Sequence, residues 1–431
     1  MPVSAQVKKD IEAGLYDESF EELYGAGPVV VHKQRQRYTQ AVTQFEETYG
    51  GEREIAIYST PGRTEIGGNH TDHNHGVVMA AAVNLDIIAV VSKNNDNFAR
   101  VQSKGFGAPD IVDLAYLEPV NLEYGKSSAL VRGVAAAIKQ RGGMVAGFDA
   151  YTTSDVLRGS GLSSSAAFEV CMATILNGEY NQNKFTAVEL GMIGQFAENK
   201  FFGKPSGLMD QTACAVGNAI TIDFKDPEHP QVTEIPFDLA AHGYRLVITD
   251  TKGSHAGLTD EYTAIRREME SVAEFFGKEY LRQITLEQLL ANISAIRAQQ
   301  GDRAVLRSIH FFEECRRVGV LAGAIGKNDF ETFKAAIIES GHSSFEYNQN
   351  AYSVRRPEEQ GVALGLAVSQ LLLAGKGAWR LQGGGFAGTI QAFVPNDLLE
   401  TYCNELQTIF GSDACYVLNV RGRGTTQVTP L

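Results

Sequence analysis

A two-lobed α+β chain with mixed sheets is the fold class this sequence predicts, on three observations. At 431 residues it exceeds what one ordinary core holds, so two domains, or one with a large added lobe, are expected. Period-two hydrophobic stretches, the mark of strands, are interspersed with helical stretches and no internal repeat occurs. Punctuation at "DPEHP" and "HG" sets a lobe boundary near 235–243, dividing 1–240 from 241–431.

The elements follow in order. Residues 41–48 are helical up to Gly50-Gly51, and "EREIAIYST" (52–60) alternates as a strand. It runs into "RTEIGGNHTDHNHG" (63–76), read as a loop at the strand end. The Val/Ile/Ala-rich stretch 76–94 reads as two buried strands, and 147–156 as another. A helix starts at about Ser164 and stops near Gly178, and a second ends at Gly203. "KPSGLMDQTACAVG" enters a short element. A strand at 243–251 precedes helices at 258–277 and 303–320, and two more helices follow. "AWRLQGGGFAGTIQAFVP" reads strand, glycine loop, strand, and a helix (396–410) and a strand (415–420) close the chain.

Composition narrows the function. Net charge is −13 and the basic residues are scattered, which argues against phosphate-backbone binding by nucleic-acid partners. No run of 18 apolar residues spans a membrane, and the N-terminus lacks a signal-peptide core. Five cysteines, none spaced C-x-x-C, suit reduced thiols in a cytoplasmic protein. Gly numbers 44 where about 30 is ordinary, and the excess sits in clusters that mark particular loops.

The most chemical of these clusters is "RGSGLSSSAA" (158–167). A helix's first turn carries unpaired amides and partial positive charge. Gly159 and Gly161 let backbone approach an oxyanion, and Ser163, Ser164 and Ser165 add hydroxyl donors. The competing reading is a plain turn with a serine N-cap. No G-x-x-x-x-G-K-[ST] occurs. "QGGGFAG" (382–388) taken alone is a glycine-rich hairpin or bulge.

"TPGRTEIGGNHTDHNHG", "GSGLSSSAA", "GKPSGLMDQ" and "LQGGGFAG", in this order, resemble the signature motifs of the galacto-, homoserine, mevalonate and phosphomevalonate (GHMP) kinase superfamily, and within it the galactokinase family. "SHAGLTDEYTAIRRE" and "RSIHFFEECRRV" extend the similarity over nearly the whole chain from about residue 41. The resemblance implies a GHMP-kinase-like fold with the active site in a cleft between the lobes. It implies ATP and Mg²⁺-dependent phosphorylation of the anomeric hydroxyl of a galactose-type pyranose by a monomer or weak homodimer.

Roles are carried over by the resemblance. Asp210 is the carboxylate at the sugar hydroxyl, where the motif-free reading is a helix N-cap, and Arg63 holds it ionised. Asn69, His70, Asp72, His73, Gly207, Tyr262 and Gly384 line the sugar. Gly159, Ser160, Gly161, Leu162, Ser163, Ser164 and Ser165 cradle the ATP phosphates. Ser164, with Ser165 as a second candidate, and Glu198 hold Mg²⁺.

Three departures touch specificity. The family's glutamate before His70 is Asn69, its asparagine two residues after Arg63 is Glu65, and its tyrosine after Asp72 is His73. A glutamate ~4 Å from a substrate carboxylate repels it by about 4 kcal/mol at an effective dielectric of 20. Asn69 lifts that barrier and a protonated His73 attracts the carboxylate, so a C6-carboxylate sugar such as galacturonate is the alternative substrate. Two rivals of other classes are a non-catalytic sugar and nucleotide sensor and a metal-dependent hydrolase using His70, His73 and His75. The histidine spacing argues against the hydrolase, and His75 is expected in solvent.

Overall fold

The computed structural model describes residues 1–156, 161–204, 206–254 and 257–430. Its larger sheet contains β1 (Ala56–Gly67), β2 (Val77–Lys93), β3 (Phe98–Ser103), β4 (Asp110–Asp113), β5 (Phe148–Ser154), β6 (Ala219–Asp223) and β7 (Gln231–Ile235). The smaller is built from β8 (Tyr244–Asp250), β9 (Ala378–Leu381), β10 (Thr389–Pro395) and β11 (Cys415–Leu418). The last strand, β12 (Thr426–Val428), returns to the larger sheet beside β1.

The larger sheet runs β12-β1-β2-β5-β3-β4, with β6 on the first half of β2 and β7 outside it. It is mixed through one parallel pair, β3 with β5. The smaller sheet, β11-β8-β10-β9, is antiparallel throughout, where mixed sheets were expected in both lobes. Each of its neighbours is reached by reversal, and no helical crossover links two parallel strands within it.

Period-two alternation along β1 and β2 feeds two cores. Ile57, Ile88 and Val90 pack with Val7, Phe20, Tyr38 and Phe45 under the N-terminal helices. Tyr58, Ala89 and Val91 face the other way, against Val134, Cys171 and Ile175 of the helices Ser127–Gln140 and Ser164–Asn181. Burial on both faces explains why β1 is buried along its whole length.

Two expectations change here. Residues 77–93 form one long strand, not two, because its first half pairs with β6 and its second half with β5 while β1 spans both. The motif from Arg63 starts inside β1, and the loop begins only at Gly68. Register shifts at Pro61/Arg63 and Glu65/Gly67 interrupt the pairing with β2. Such irregularities re-aim side chains at a strand's working end.

That end of β1 meets the β9–β10 connection. The Arg380 guanidinium donates to the Ile66 carbonyl at 2.5 Å, and the Gln391 amide to the Thr64 hydroxyl at 2.6 Å. The Thr64 hydroxyl in turn donates to Gln382 Oε1 at 2.9 Å. Polar contacts between the two sheets thus converge where the glycine motifs lie.

Candidate active site

The helix Ser164–Asn181 begins after Ser163, which has φ 57° and no side-chain cap bond. The serine expected as a possible cap turns elsewhere: its hydroxyl donates to Asp210 Oδ2 at 2.5 Å. Among the described residues no side chain accepts from the first-turn amides, the condition in which a helix N-terminus favours an anion. Gly161, Leu162, Ser163, Ser164 and Ser165 are placed at this turn, with Leu162 buried beneath it, while Gly159 and Ser160 lie outside the described residues.

Arg63 joins β1 to the turn and to the carboxylate. Its Nε donates to Asp210 Oδ1 at 2.7 Å and its Nη2 to Oδ2 at 2.8 Å, a bidentate pair. Its Nη1 reaches the Gly161 carbonyl at 2.5 Å, and its backbone N–H bonds the Leu162 carbonyl at 3.1 Å. Gly62 permits this approach, since a Cβ there would sit 2.8 Å from the same carbonyl. Asp210 is the second residue of the helix Met209–Val216, not its N-cap, which is Leu208. Burial pushes its carboxyl up, but the Arg63 charge and hydrogen bonds, with Ser163, hold it below the ordinary range.

The His70–Asp72 turn lies opposite the glycine loop after β9. His70 has φ 57° and its Nε2 is 2.9 Å from the Gly384 carbonyl. The Tyr262 hydroxyl donates to the Gly385 carbonyl at 2.8 Å, and a Cβ on Gly384 would strike the Tyr262 ring. A Cβ on Gly207 would collide with the Asp72 carboxylate. Burial raises the Asp72 carboxyl above its ordinary range against the nearby His70, with Asp210 adding to the rise.

The three histidines of the motif point to different partners. His70 bonds Gly384, His73 Nδ1 lies 3.0 Å from the Asn74 amide, and His75 stacks on Tyr280 with centroids 3.8 Å apart. His75 is therefore half-buried, not solvated as expected, because the Tyr280 ring covers it. Among the described residues no three His, Cys, Asp or Glu side chains are grouped to hold a metal ion. Burial holds the His73 imidazole well below its ordinary pKa, and its Nε2 is buried without a partner. It is neutral at pH 7, so the cation invoked for a substrate carboxylate is missing.

Behind the serine turn, the Ser165 hydroxyl donates to Glu198 Oε1 at 3.3 Å. Of the two serines weighed beside Glu198, Ser165 bonds it, as the second residue of its helix. Lys204 Nζ reaches the same oxygen at 2.8 Å, and Gln211 bridges Glu198 and Glu169 at 2.9 and 3.1 Å. Burial, with Glu198 close by, pushes Glu169 up to about 9, so it keeps its proton at neutral pH.

Sequence reading missed this supporting set: Gln382, Arg380, Gln211, Glu169 and Lys204. Their only signal was adjacency, since Gln382 and Arg380 flank a glycine run and Gln211 and Lys204 flank the "PSGLMD" stretch. A cavity of about 580 Å³, lined by Thr251, Leu258, Ser353 and Phe386 among others, holds neither Arg63 nor Asp210.

An arginine-held carboxylate beside a helix start, faced by a polar turn and a glycine loop, is a candidate site for a phosphotransferase of the GHMP type. Residues 129–218 match the family model of the GHMP kinase N-terminal domain, and residues 43–93 match the galactokinase galactose-binding signature. Galactokinase of Streptomyces coelicolor is 34% identical over 349 residues, 80% of this chain and 86% of that protein. Human galactokinase is 31% identical over 394 residues, 89% of this chain and 95% of that protein. The crystal structure of Lactococcus lactis galactokinase complexed with galactose superposes with a TM-score of 0.77 at 22% identity, covering 91% of this chain and all of that one. This chain belongs to the galactokinase family, and it is a kinase with an alcohol group as acceptor.

Proposed function

We propose that the protein transfers the terminal phosphoryl group of ATP to the C1 hydroxyl of galactose. The observation that carries this reading is the Arg63–Asp210–Ser163 contact at the uncapped helix start, which sets acceptor and phosphate sites side by side. Phosphoryl transfer has little covalent chemistry for the protein to perform, so positioning and charge stabilisation dominate. A carboxylate held below its ordinary range is a weak base. Asp210 therefore orients the C1 hydroxyl and takes its proton as the O–P bond forms. Arg63, always charged, keeps Asp210 ionised and stabilises charge on the transferring oxygens.

The first-turn amides and the Ser164 hydroxyl bind the phosphates, while the Ser163 hydroxyl stays on Asp210. His70, Asp72, Gly207, Tyr262 and Gly384 enclose the sugar, with Asp72 accepting from vicinal hydroxyls. Ser165 and Glu198 suit Mg²⁺, a hard ion that takes one or two protein oxygens and shares the rest with phosphates and water. Held there, the ion would neutralise phosphate charge, and Lys204 pairs with Glu198 at 2.8 Å. Residues 1–240 and 241–431 serve as the two lobes of a cytoplasmic enzyme, monomeric or weakly dimeric, whose partners are sugar and ATP. Neutral His73 and the pairing of Asn69 within the protein leave the galacturonate alternative without support.

The test is a panel of galactose, galacturonate, N-acetylgalactosamine and arabinose with ATP and Mg²⁺, the product located by NMR. Galactose should give the highest kcat/KM, with phosphate on C1. Absence of galactose-dependent ADP release, or phosphate on another carbon, overturns the reading.

A further inference from the structure

Two of the departures from the family pattern, Glu65 and Asn69, are partners in the structure. The Asn69 amide donates to Glu65 Oε1 at 3.0 Å and to the Gly383 carbonyl at 2.7 Å. Its carbonyl oxygen accepts from Asn350 Nδ2 at 2.9 Å and the Ser344 hydroxyl at 3.4 Å. A carboxamide offers two donor hydrogens and one oxygen with two acceptor positions. All four are taken by the protein, and Asn69 is 1% exposed. Nothing remains with which to bind a sugar hydroxyl.

The orientation of that amide is set from behind. Glu65 Oε1 also accepts from Arg380 Nη2 at 2.7 Å, and Arg380 is fully buried. An ionised carboxylate accepts only, so Glu65 selects the NH₂ side of Asn69. The Asn69 backbone carbonyl accepts from His310 Nε2 at 2.9 Å, while His310 Nδ1 pairs with Ser343 at 2.8 Å, the tautomer being the one this network requires. The next residue is His70, in the left-handed conformation that carries its ring to Gly384.

We infer that Asn69, oriented by the Arg380–Glu65 pair, is a positioning residue that holds the His70–Asp72 turn against the Gly383–Gly385 loop across the seam between the sheets, and does not contact the sugar. The inference rests on the kinase reading of this cleft. It explains the paired departures: an amide and a carboxylate have exchanged places four residues apart, and the contact between them stands.

The test uses the full-length protein and four variants: Asn69→Asp, Glu65→Gln, the double Glu65→Gln/Asn69→Asp, and Asn69→Ser. Asn69→Asp sets two carboxylates in contact and removes the donor to Gly383. Its KM for galactose should rise about tenfold or more, beyond any fall in kcat. In the double variant the carboxamide introduced at position 65 donates to the carboxylate introduced at position 69, and the part of the loss due to the Glu65 contact should return while the part due to Gly383 stays. Asn69→Ser, which adds no charge, should raise KM in the same direction and serves if Asn69→Asp does not fold. A KM within about twofold of the parent in Asn69→Ser and Asn69→Asp, or a double variant no better than Asn69→Asp, overturns the inference. A parent protein that turns over no galactose refutes the kinase reading instead. The pair is then judged by melting temperature, where additive losses in the double variant count against it.

Discussion

The arginine–aspartate clusters around Asp86 and Asp210 are made of the same chemistry and put to different ends. At Asp86, under the N-terminal helices, the carboxylate accepts from Tyr24 at 2.6 Å, Arg37 at 2.6 Å, Arg421 at 3.3 Å and the Ser59 hydroxyl. Asp86 and Arg421 are both fully buried. At Asp210 the hydrogen-bonding partners among the described residues are Arg63 and Ser163, and the side chain is 31% exposed. Both carboxyls are held below their ordinary range against burial, Asp86 by Arg37 and Arg421, Asp210 by Arg63. Ionisation therefore does not distinguish them. The difference is an open side. A saturated carboxylate can only hold structure, whereas one with an accessible edge beside an unpaired helix start can receive a hydroxyl.

The sharpest way to break this comparison is Asp210→Asn. Galactose-dependent turnover should fall on the order of 10³-fold or more, while the midpoint of urea unfolding moves less than in any Asp86 variant. Turnover within about threefold of the parent removes Asp210 from the chemistry. Asp86→Ala is the converse. It removes the carboxylate partner of the fully buried Arg421 and, among the described residues, leaves Arg37 only Asp155 as a carboxylate partner, and should cost about 3–5 kcal/mol in denaturant unfolding, with kcat per folded molecule retained. A stable Asp86→Ala with depressed kcat would show that the N-terminal cluster reports to the site.

Mild acid separates the two regions more finely. His310, fully buried behind Asn69, is pushed down to about 4, chiefly by burial. A histidine depressed in the folded state binds its proton more readily when unfolded. Its stabilising contribution is complete above the unfolded pKa, near 6.5, and is lost as pH falls toward the folded value. The loss is on the order of 3 kcal/mol over that window, and it falls on the site half before the Asp86 carboxylate titrates. Melting curves at pH 7 and pH 5 should show it, and His310→Gln should lessen the difference, leaving the part that the buried His73 contributes. An equally steep pH dependence in that variant would assign the effect elsewhere.

Much of the site was legible because its parts are local. The serine-rich helix start at about Ser164 and the strand leading into Arg63 read correctly from short windows of sequence, since helix starts and strand periodicity are set within a few residues. What failed was partner choice. Ser163 looked like a cap and instead bonds Asp210, 47 residues away. His75 looked solvated and stacks on Tyr280. The 77–93 stretch looked like two strands because nothing local says that β1 spans both halves.

By itself the sequence determined the α+β class, the position of the glycine-serine helix start, and the residue types that phosphoryl transfer requires. Only the tertiary structure decided which of those residues meet: Arg63 with Asp210 across 147 residues, and Glu65 with Arg380 across 315. The reason is physical. Backbone preference acts over a few neighbours, whereas desolvation and hydrogen-bond saturation depend on what packs alongside, which the chain brings together only on folding.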